Sequence, residues 1–302
     1  MVEKLFAPCP GQYCGRIALS NGTYSSCGPC PRGFRANSSS LCEPCQSSPA
    51  FYDWLYLGFM VLVPLIFHWF CIGNKGHFRG SFSKGALWLH FIAFVEVAVS
   101  AAVTLFIVEP FGSFTIRSCP ITMFADWYTL FYNPNPNYEF ILHCTQEAVY
   151  PLYTMVFIFY LLGITMLLLV RPLLVSLVLN NYGKSSIYAG LYFYPFLGLL
   201  HAVYGGIIYY TFPYILIILS VISNAIHFAF KLDQSMKELV MSTITDVRNL
   251  VILLCHWMLH AYGLISITEM TNPVYHSALL ALVPFPALFY ILTSKFSDPS
   301  KL

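Results

Sequence analysis

Seven runs of mostly apolar residues alternate along the chain with shorter polar stretches: Trp54–Cys71, Ala86–Val108, Val149–Val170, Ile187–Tyr210, Pro213–Phe230, Asn249–Ile267 and Tyr275–Thr293. A helix needs about 20 apolar residues to cross about 30 Å of hydrocarbon, and each run is near that length. The pattern predicts an all-α polytopic membrane protein with seven transmembrane helices. Glu96 is the one formal charge inside these runs. Thr211–Phe212 alone separates the fourth run from the fifth. A tight hairpin turning at Pro213 is expected there, because proline is favoured at a helix start; the alternative is one long re-entrant element. Pro64, Pro195, Pro284 and Pro286 are expected to kink their spans.

Composition supports the membrane class. The 302 residues are 58% hydrophobic and 9% charged, against about 25% charged in an ordinary soluble domain. No soluble fold of this size hides so much apolar surface. A net charge of +2 is too small to point to nucleic acid.

The distribution of charge sets an orientation. With the N-terminus lumenal and the C-terminus cytosolic, Lys75, Arg79, Lys84, Arg171, Lys184, Lys231, Lys237, Arg248, Lys295 and Lys301 fall on the inner side, while the outer loops hold Arg117. That asymmetry obeys the positive-inside rule. The resulting division is a Cys-rich domain over 1–50, a membrane domain over 51–293 with an outer loop at 109–148, and a short cytosolic tail over 294–302. Met1–Pro10 has no apolar core, so the first span is expected to act as its own insertion signal. Both N-x-[ST] sequons, at Asn21 and Asn37, precede the first span and are candidate glycosylation sites on the non-cytosolic side.

Six of the ten cysteines lie in the first 45 residues: Cys9, Cys14, Cys27, Cys30, Cys42 and Cys45. In the cytosol, the C-x2-C-x11-C-x2-C spacing would suit tetrahedral zinc. In an oxidising compartment the same sulfurs form disulfides, which a segment this small needs because it cannot build a sufficient core. Three bridges among the six are the first reading. Redox catalysis by Cys27-Gly28-Pro29-Cys30 ranks last, because no βαβ framework surrounds the motif. Connectivity is open, since six cysteines allow about 15 pairings. Cys119 and Cys144 both fall in the outer loop, and a bond between them would close it; the alternative is two buried thiols. The loop is also rich in aromatics (Phe124, Trp127, Tyr128, Phe131, Tyr132 and Tyr138) that favour the membrane boundary. Ile121–Phe131 is expected to lie along the surface as a short helix, with Asn133–Asn137 turning the chain back.

Glu96 is costly in hydrocarbon and is expected to face the bundle interior, neutral or paired. His201 and His260 are candidate partners at similar depth, with Asn224 and His227 further candidates. His256 and His260 share one helical face, a geometry that suits a metal, although the same residue types serve as inter-helix hydrogen-bonding glue. The readings are glue, a proton or substrate path, and a metal site, in that order. The sequence holds no HExxH and no GxSxG arrangement, so no catalytic set, metal site or cofactor is expected.

Several long strings carry a resemblance: "YDWLYLGFM" at Tyr52–Met60, "IRSC" at Ile116–Cys119, "DWYTLFYNPNPNY" at Asp126–Tyr138 and "HCTQEAVYPLYT" at His143–Thr154, then "RPLLV" at Arg171–Val175, "HWMLHAYGLISI" at His256–Ile267 and "LALVPFPALFY" at Leu280–Tyr290. On these the chain resembles the Jun-kinase-associated membrane proteins along nearly its whole length. The resemblance implies a multi-pass protein of the endoplasmic reticulum membrane and a non-enzymatic adaptor in ER-associated degradation and the unfolded-protein response. Its implied partners are proteasome subunits, membrane RING ubiquitin ligases, ubiquitinated misfolded membrane proteins and Jun N-terminal kinase. Arg171–Ser186 and Lys231–Arg248 are the candidate cytosolic docking segments; the alternative is that they serve only to set topology. A seven-transmembrane receptor and a transporter using Glu96 and the histidines are the competing functions.

The orientation predicts a glycan. Glycosidase digestion should remove a mobility shift that an Asn21→Gln/Asn37→Gln variant lacks, and sensitivity to a high-mannose-specific enzyme would place the protein in the ER.

Overall fold

The computed structural model describes residues 7–73, 84–131, 143–178, 184–231 and 233–297. The chain forms two compact units, Met1–Ile207 and Ile208–Leu302. Lys75, Arg79, Lys301 and the expected turn at Asn133–Asn137 lie outside the described residues.

The N-terminal head is built from two small antiparallel ladders. Strand β1 (Cys14–Gly15) pairs with β2 (Gly28–Pro29), and β3 (Phe34–Ala36) pairs with β4 (Cys42–Pro44). Strands of two or three residues cannot hold themselves together. Covalent bridges do so instead: Cys9–Cys27 and Cys30–Cys42 close the head internally. Gly15 sits against the second bridge, where a Cβ would come within 2.8 Å of both Cys30 Sγ and Cys42 Sγ.

The remaining two bridges leave the head. Cys14–Cys144 and Cys45–Cys119 tie it to the loop between the second and third helices. This corrects two expectations, three bridges confined to the first six cysteines and a Cys119–Cys144 bond. The reason is packing: Tyr13, Cys14, Cys144 and Ala148 form one buried cluster, and Cys45, Cys119 and Tyr150 form another.

Polar contacts reinforce the join. Arg35 donates to both carboxylate oxygens of Asp126 at 3.0 Å, and Tyr13 Oη donates to Oδ1 at 3.1 Å. Thr122 N donates to Oδ2 at 2.8 Å. Asp126 is 2% exposed, so these four hydrogen bonds compensate a buried charge. They also explain why no surface helix forms over Ile121–Phe131. Only Phe124–Trp127 makes a 3-10 turn, and Asp126 draws it inward so that Trp127 is buried.

Helices α1 (Phe51–Gly73), α2 (Lys84–Ile107) and α3 (Leu152–Val178) form the membrane part of the first unit. The core of this unit includes Val108, Ile116 and Met155 at the head end and Ile72, Leu89, Ala93 and Val175 at the other. Large apolar side chains such as Leu87, Phe91, Phe94 and Leu169 are more than half or nearly half exposed, as lipid-facing positions must be. α3 extends eight residues past the expected end at Val170, so Arg171 lies inside a helix and is fully buried. Arg171 is thus not part of a cytosolic docking loop.

Helix α4 (Lys184–Ala229) is one continuous element of 46 residues. The hairpin expected at Thr211–Phe212 is not formed, so the fourth and fifth runs merge. The described residues then hold six helices long and apolar enough to cross a membrane, not seven. The physical reason is local. Gly, Asn and Asp, which relieve a tight turn, are missing from Tyr209–Pro213. Tyr209 and Phe212 are buried instead, and a proline in a membrane helix forfeits one backbone bond without ending the helix.

In the second unit, α5 (Met236–Thr245) and α6 (Val247–Thr268) follow the end of α4. Ser235 caps α5 by accepting from Glu238 N, and Asp246 caps α6 by accepting from Arg248 N. The last apolar run divides into α7 (Pro273–Leu279), a 3-10 turn (Leu280–Leu282) and α8 (Phe285–Ser297), with the break at Val283–Pro284. Phe228, Leu239, Leu253 and Ala287 pack together as the core of this unit.

Non-reducing peptide mapping should recover a peptide pair joining Cys14 to Cys144 and another joining Cys45 to Cys119. A Cys119–Cys144 pair would overturn the arrangement. Loss of Cys14–Cys144 through Cys14→Ser should cost about 2–4 kcal/mol, read as a lower thermal midpoint in detergent.

Candidate functional site

The polar residues inside the helices divide into separate stations. The most demanding is on α2 and α3. Glu96 lies at the midpoint of α2, a helix of 24 residues. Ser100 and Thr104, one and two turns on, bond back to the carbonyls of Glu96 and Ser100, so this face of α2 satisfies its own hydroxyls. Arg171 reaches Glu96 from α3. Its Nε donates to Oε1 at 3.1 Å, and its Nη2 donates to Oε2. The guanidinium meets the carboxylate with two parallel bonds, the geometry in which arginine binds strongest.

His68 of α1 completes the station. Arg171 Nη1 lies 3.2 Å from its Nδ1. Arginine has only donors, so Nδ1 accepts and the ring proton sits on Nε2. Nε2 has no hydrogen-bond partner among the described residues. Exposure is 1% for His68, 3% for Glu96 and 0% for Arg171. Taking both charges out of water costs several kcal/mol per ion, and their attraction offsets that only because the bonds are bidentate. Phe193 and Tyr194 of α4 close over the imidazole, with ring centroids at 4.8 and 5.6 Å. Gly190, one turn earlier, admits this approach, since a Cβ there would lie 3.4 Å from His68 Cε1 and would also meet Leu167.

The expected partners of Glu96 lie elsewhere. His201 takes Tyr56 Oη at 3.3 Å on Nδ1 and points Nε2 at the Tyr153 carbonyl, 3.0 Å away. A carbonyl only accepts, so Nε2 carries the proton and the tyrosine donates to Nδ1. In the second unit, His260 Nδ1 lies 2.9 Å from Ser220 Oγ. His256 instead faces His227, with ring centroids at 6.1 Å. The HxxxH pair therefore points at two different partners and is not a joint ligand set. Asn224, 2% exposed, leaves Oδ1 without a partner among the described residues. No group of three or more His, Cys, Asp or Glu among the described residues is placed to hold a metal.

All eight candidate cysteines are in disulfides. The sequons lie in the head. Asn21 is exposed in a turn, its Oδ1 accepting from Thr23 N at 3.1 Å. The Asn37 side chain donates to Glu43 Oε1 at 2.6 Å. Outside the membrane, burial pushes the Tyr150 hydroxyl above its ordinary value and Glu109 adds to the shift, while Arg32, over its ring, works against it.

Sequence reasoning missed Arg171 and His68. A signal for Arg171 was present: Leu173, Leu174, Val175, Leu177 and Val178 continue the apolar run beyond it. A charge inside such a run needs a partner at its own depth, and Glu96 is one.

A family model described as "JNK1/MAPK8-associated membrane protein" matches residues 9–299. Curated proteins of that name from Mus musculus and Homo sapiens are 45% and 46% identical over 310 residues, covering 100% of this chain and 97% of each relative. A Caenorhabditis elegans protein named as a homolog of it is 33% identical over 285 residues, covering 94% of this chain and 87% of its own. No solved structure matches.

Arg171→Met alone should destabilise the protein by about 3–5 kcal/mol, because it strands the Glu96 charge in hydrocarbon, whereas Glu96→Leu/Arg171→Met should be near neutral. Steady-state level and thermal midpoint in detergent would report both. A single variant as stable as the double would refute the pairing.

Proposed function

The chain belongs to the JNK1/MAPK8-associated membrane protein family, and from that membership we propose that it is a non-enzymatic adaptor of the endoplasmic reticulum membrane, acting in ER-associated degradation and the unfolded-protein response. In this reading it recruits proteasomes and membrane RING ubiquitin ligases to misfolded membrane proteins, and it binds Jun N-terminal kinase and modulates its signalling. The observation that carries the reading is similarity along the full length of relatives whose name records a JNK1/MAPK8 association.

The disulfides support a place in the secretory pathway, because four bridges form and persist where the environment oxidises thiols. The head and the loop between α2 and α3 would then be lumenal. Lys84 and Lys184, at the far ends of α2 and α4, agree with a cytosolic opposite face under the positive-inside rule. Lys231, Lys237 and Arg248 are read as cytosolic on the positive-inside rule alone, because α4 runs unbroken from Lys184 to Ala229 and supplies no return crossing between them.

Lys231–Arg248 is the docking segment that this reading retains. α5 buries Leu239 and Thr243 against its own unit and leaves Met241 and Ile244 exposed at 48% and 67%, and Val247, the first residue of α6, is 73% exposed. Those three side chains beside Lys237 offer a cytosolic partner an apolar surface with a basic neighbour.

Deleting the protein should lengthen the half-lives of misfolded membrane proteins in a chase experiment, and the tagged protein should co-purify with proteasome subunits and ubiquitin ligases. Unchanged half-lives would overturn the adaptor reading. Ile244→Asp/Val247→Asp should lower kinase co-precipitation several-fold while leaving the protein's own level unchanged.

A further inference from the structure

The two N-x-[ST] sequons of the head hold their amides in opposite states. Asn21 is exposed at the tip of a hairpin in which Ala18 bridges Tyr24 and Leu19 N donates to Thr23 O at 2.8 Å. Its Oδ1 accepts from Thr23 N at 3.1 Å and from Thr23 Oγ1 at 2.6 Å, both within its own sequon. Its neighbour Gly22 has φ +76°, and a Cβ there would meet nothing within 4 Å. Asn37 is partly buried, inside the loop that the Cys30–Cys42 bridge closes. Its Nδ2 donates to Glu43 Oε1 at 2.6 Å, and its Oδ1 accepts from Ser39 N and Leu41 N, each at 2.9 Å. Its main chain is held as well: Asn37 N donates to Leu41 O at 2.8 Å, and Asn37 O accepts from Ser40 N at 2.9 Å. Ser40, in the left-handed region at φ 56°, accepts Cys9 N on its Oγ at 2.9 Å and Arg16 N on its carbonyl at 2.8 Å.

We propose that Asn21 is the acceptor of an N-linked oligosaccharide, and that Asn37 is withheld from modification by the turn it holds together. The chemistry of the transfer selects between them. The donor is an oligosaccharide carried on a lipid pyrophosphate. A bond forms from the asparagine Nδ2 to C1 of the first sugar as the C1–O bond to the pyrophosphate breaks; the nitrogen gives up one proton, and the lipid pyrophosphate leaves. An amide nitrogen shares its lone pair with its own carbonyl, so the side chain has to turn out of its contacts to react. At Asn21 the contacts are to the sequon's own threonine, and the tip is open to a bulky sugar. At Asn37 the same step breaks a charge-assisted bond to Glu43 and frees the Ser39 and Leu41 amides that the carbonyl holds. The loop around Asn37 also closes readily. Its cysteines are 12 residues apart, against 130 and 74 for the bridges that leave the head, and a shorter loop costs less entropy to close. The inference rests on the lumenal placement of the head in the reading above. It adds a distinction that the N-x-[ST] pattern lacks: one sequon is a modification site, and the other is a structural turn.

The test translates the full chain into oxidising microsomes and counts glycans as the mobility steps that a glycosidase removes. The native sequence should show one step, and Asn21→Gln none. Ser39→Thr, which gives the second sequon the same hydroxyl residue as the first, should still show one. Opening the loop in that chain with Cys30→Ser/Cys42→Ser should add a second step. A step that survives Asn21→Gln, a second step in Ser39→Thr with the bridge intact, or no second step once the loop is open would each overturn the inference. Protease added outside the microsomes separates a failure of orientation. A protected head without a glycan overturns the inference and leaves the lumenal placement standing, whereas a digested head overturns both.

Discussion

Hydrocarbon offers no water to a polar group, so every charge carried into it has to meet its partner inside the protein. In the first unit that requirement falls on Glu96 and Arg171. Each would be prohibitive alone, and together they make a neutral, bidentate pair that fixes α2 against α3. The pair then sets the demands on its surroundings. His68 must present an acceptor to the spare guanidinium edge, which orients α1. Phe193 and Tyr194 must seal the imidazole, which orients the start of α4. One ion pair thus specifies the faces of four helices, in a solvent where apolar contact alone discriminates weakly between them.

Nearer the head, the same requirement is met with neutral groups. His201 is held between the Tyr56 hydroxyl and the Tyr153 carbonyl. Tyr153 and Phe157 flank its ring. Beyond the helix ends the constraint inverts. The head has water in abundance and too few residues to bury a core, so covalent bonds replace the hydrophobic effect. Two of its bridges are internal, and two reach a loop that follows α2. The head is therefore an extension of the helical unit and not a separate module on a tether.

These features fit the proposed adaptor, which would need its working surfaces held in place. The covalent clamp positions one face, and α5, capped and packed on its own unit, offers another.

The sequence by itself determined the class of the protein, the position of most helices and the set of cysteines that oxidise. Runs such as Ala86–Val108 can exist only as helices in a bilayer, because backbone groups there must be satisfied within the segment, and that rule is local. Where the reading failed, the deciding interaction was not local. Val170 looked like a helix end because Arg171 follows it; whether an arginine ends a span or lies buried in it depends on a carboxylate 75 residues away. Thr211–Phe212 looked like a turn because the spacing suited two spans, yet burial of Tyr209 and Phe212 keeps that stretch helical. The pairing of Cys14 with Cys144, across 130 residues, follows from the packing of Tyr13 and Ala148 around them. Only the tertiary structure decided these points, because each depends on which groups meet in space, and a one-dimensional pattern fixes what a segment must avoid but not what it will touch.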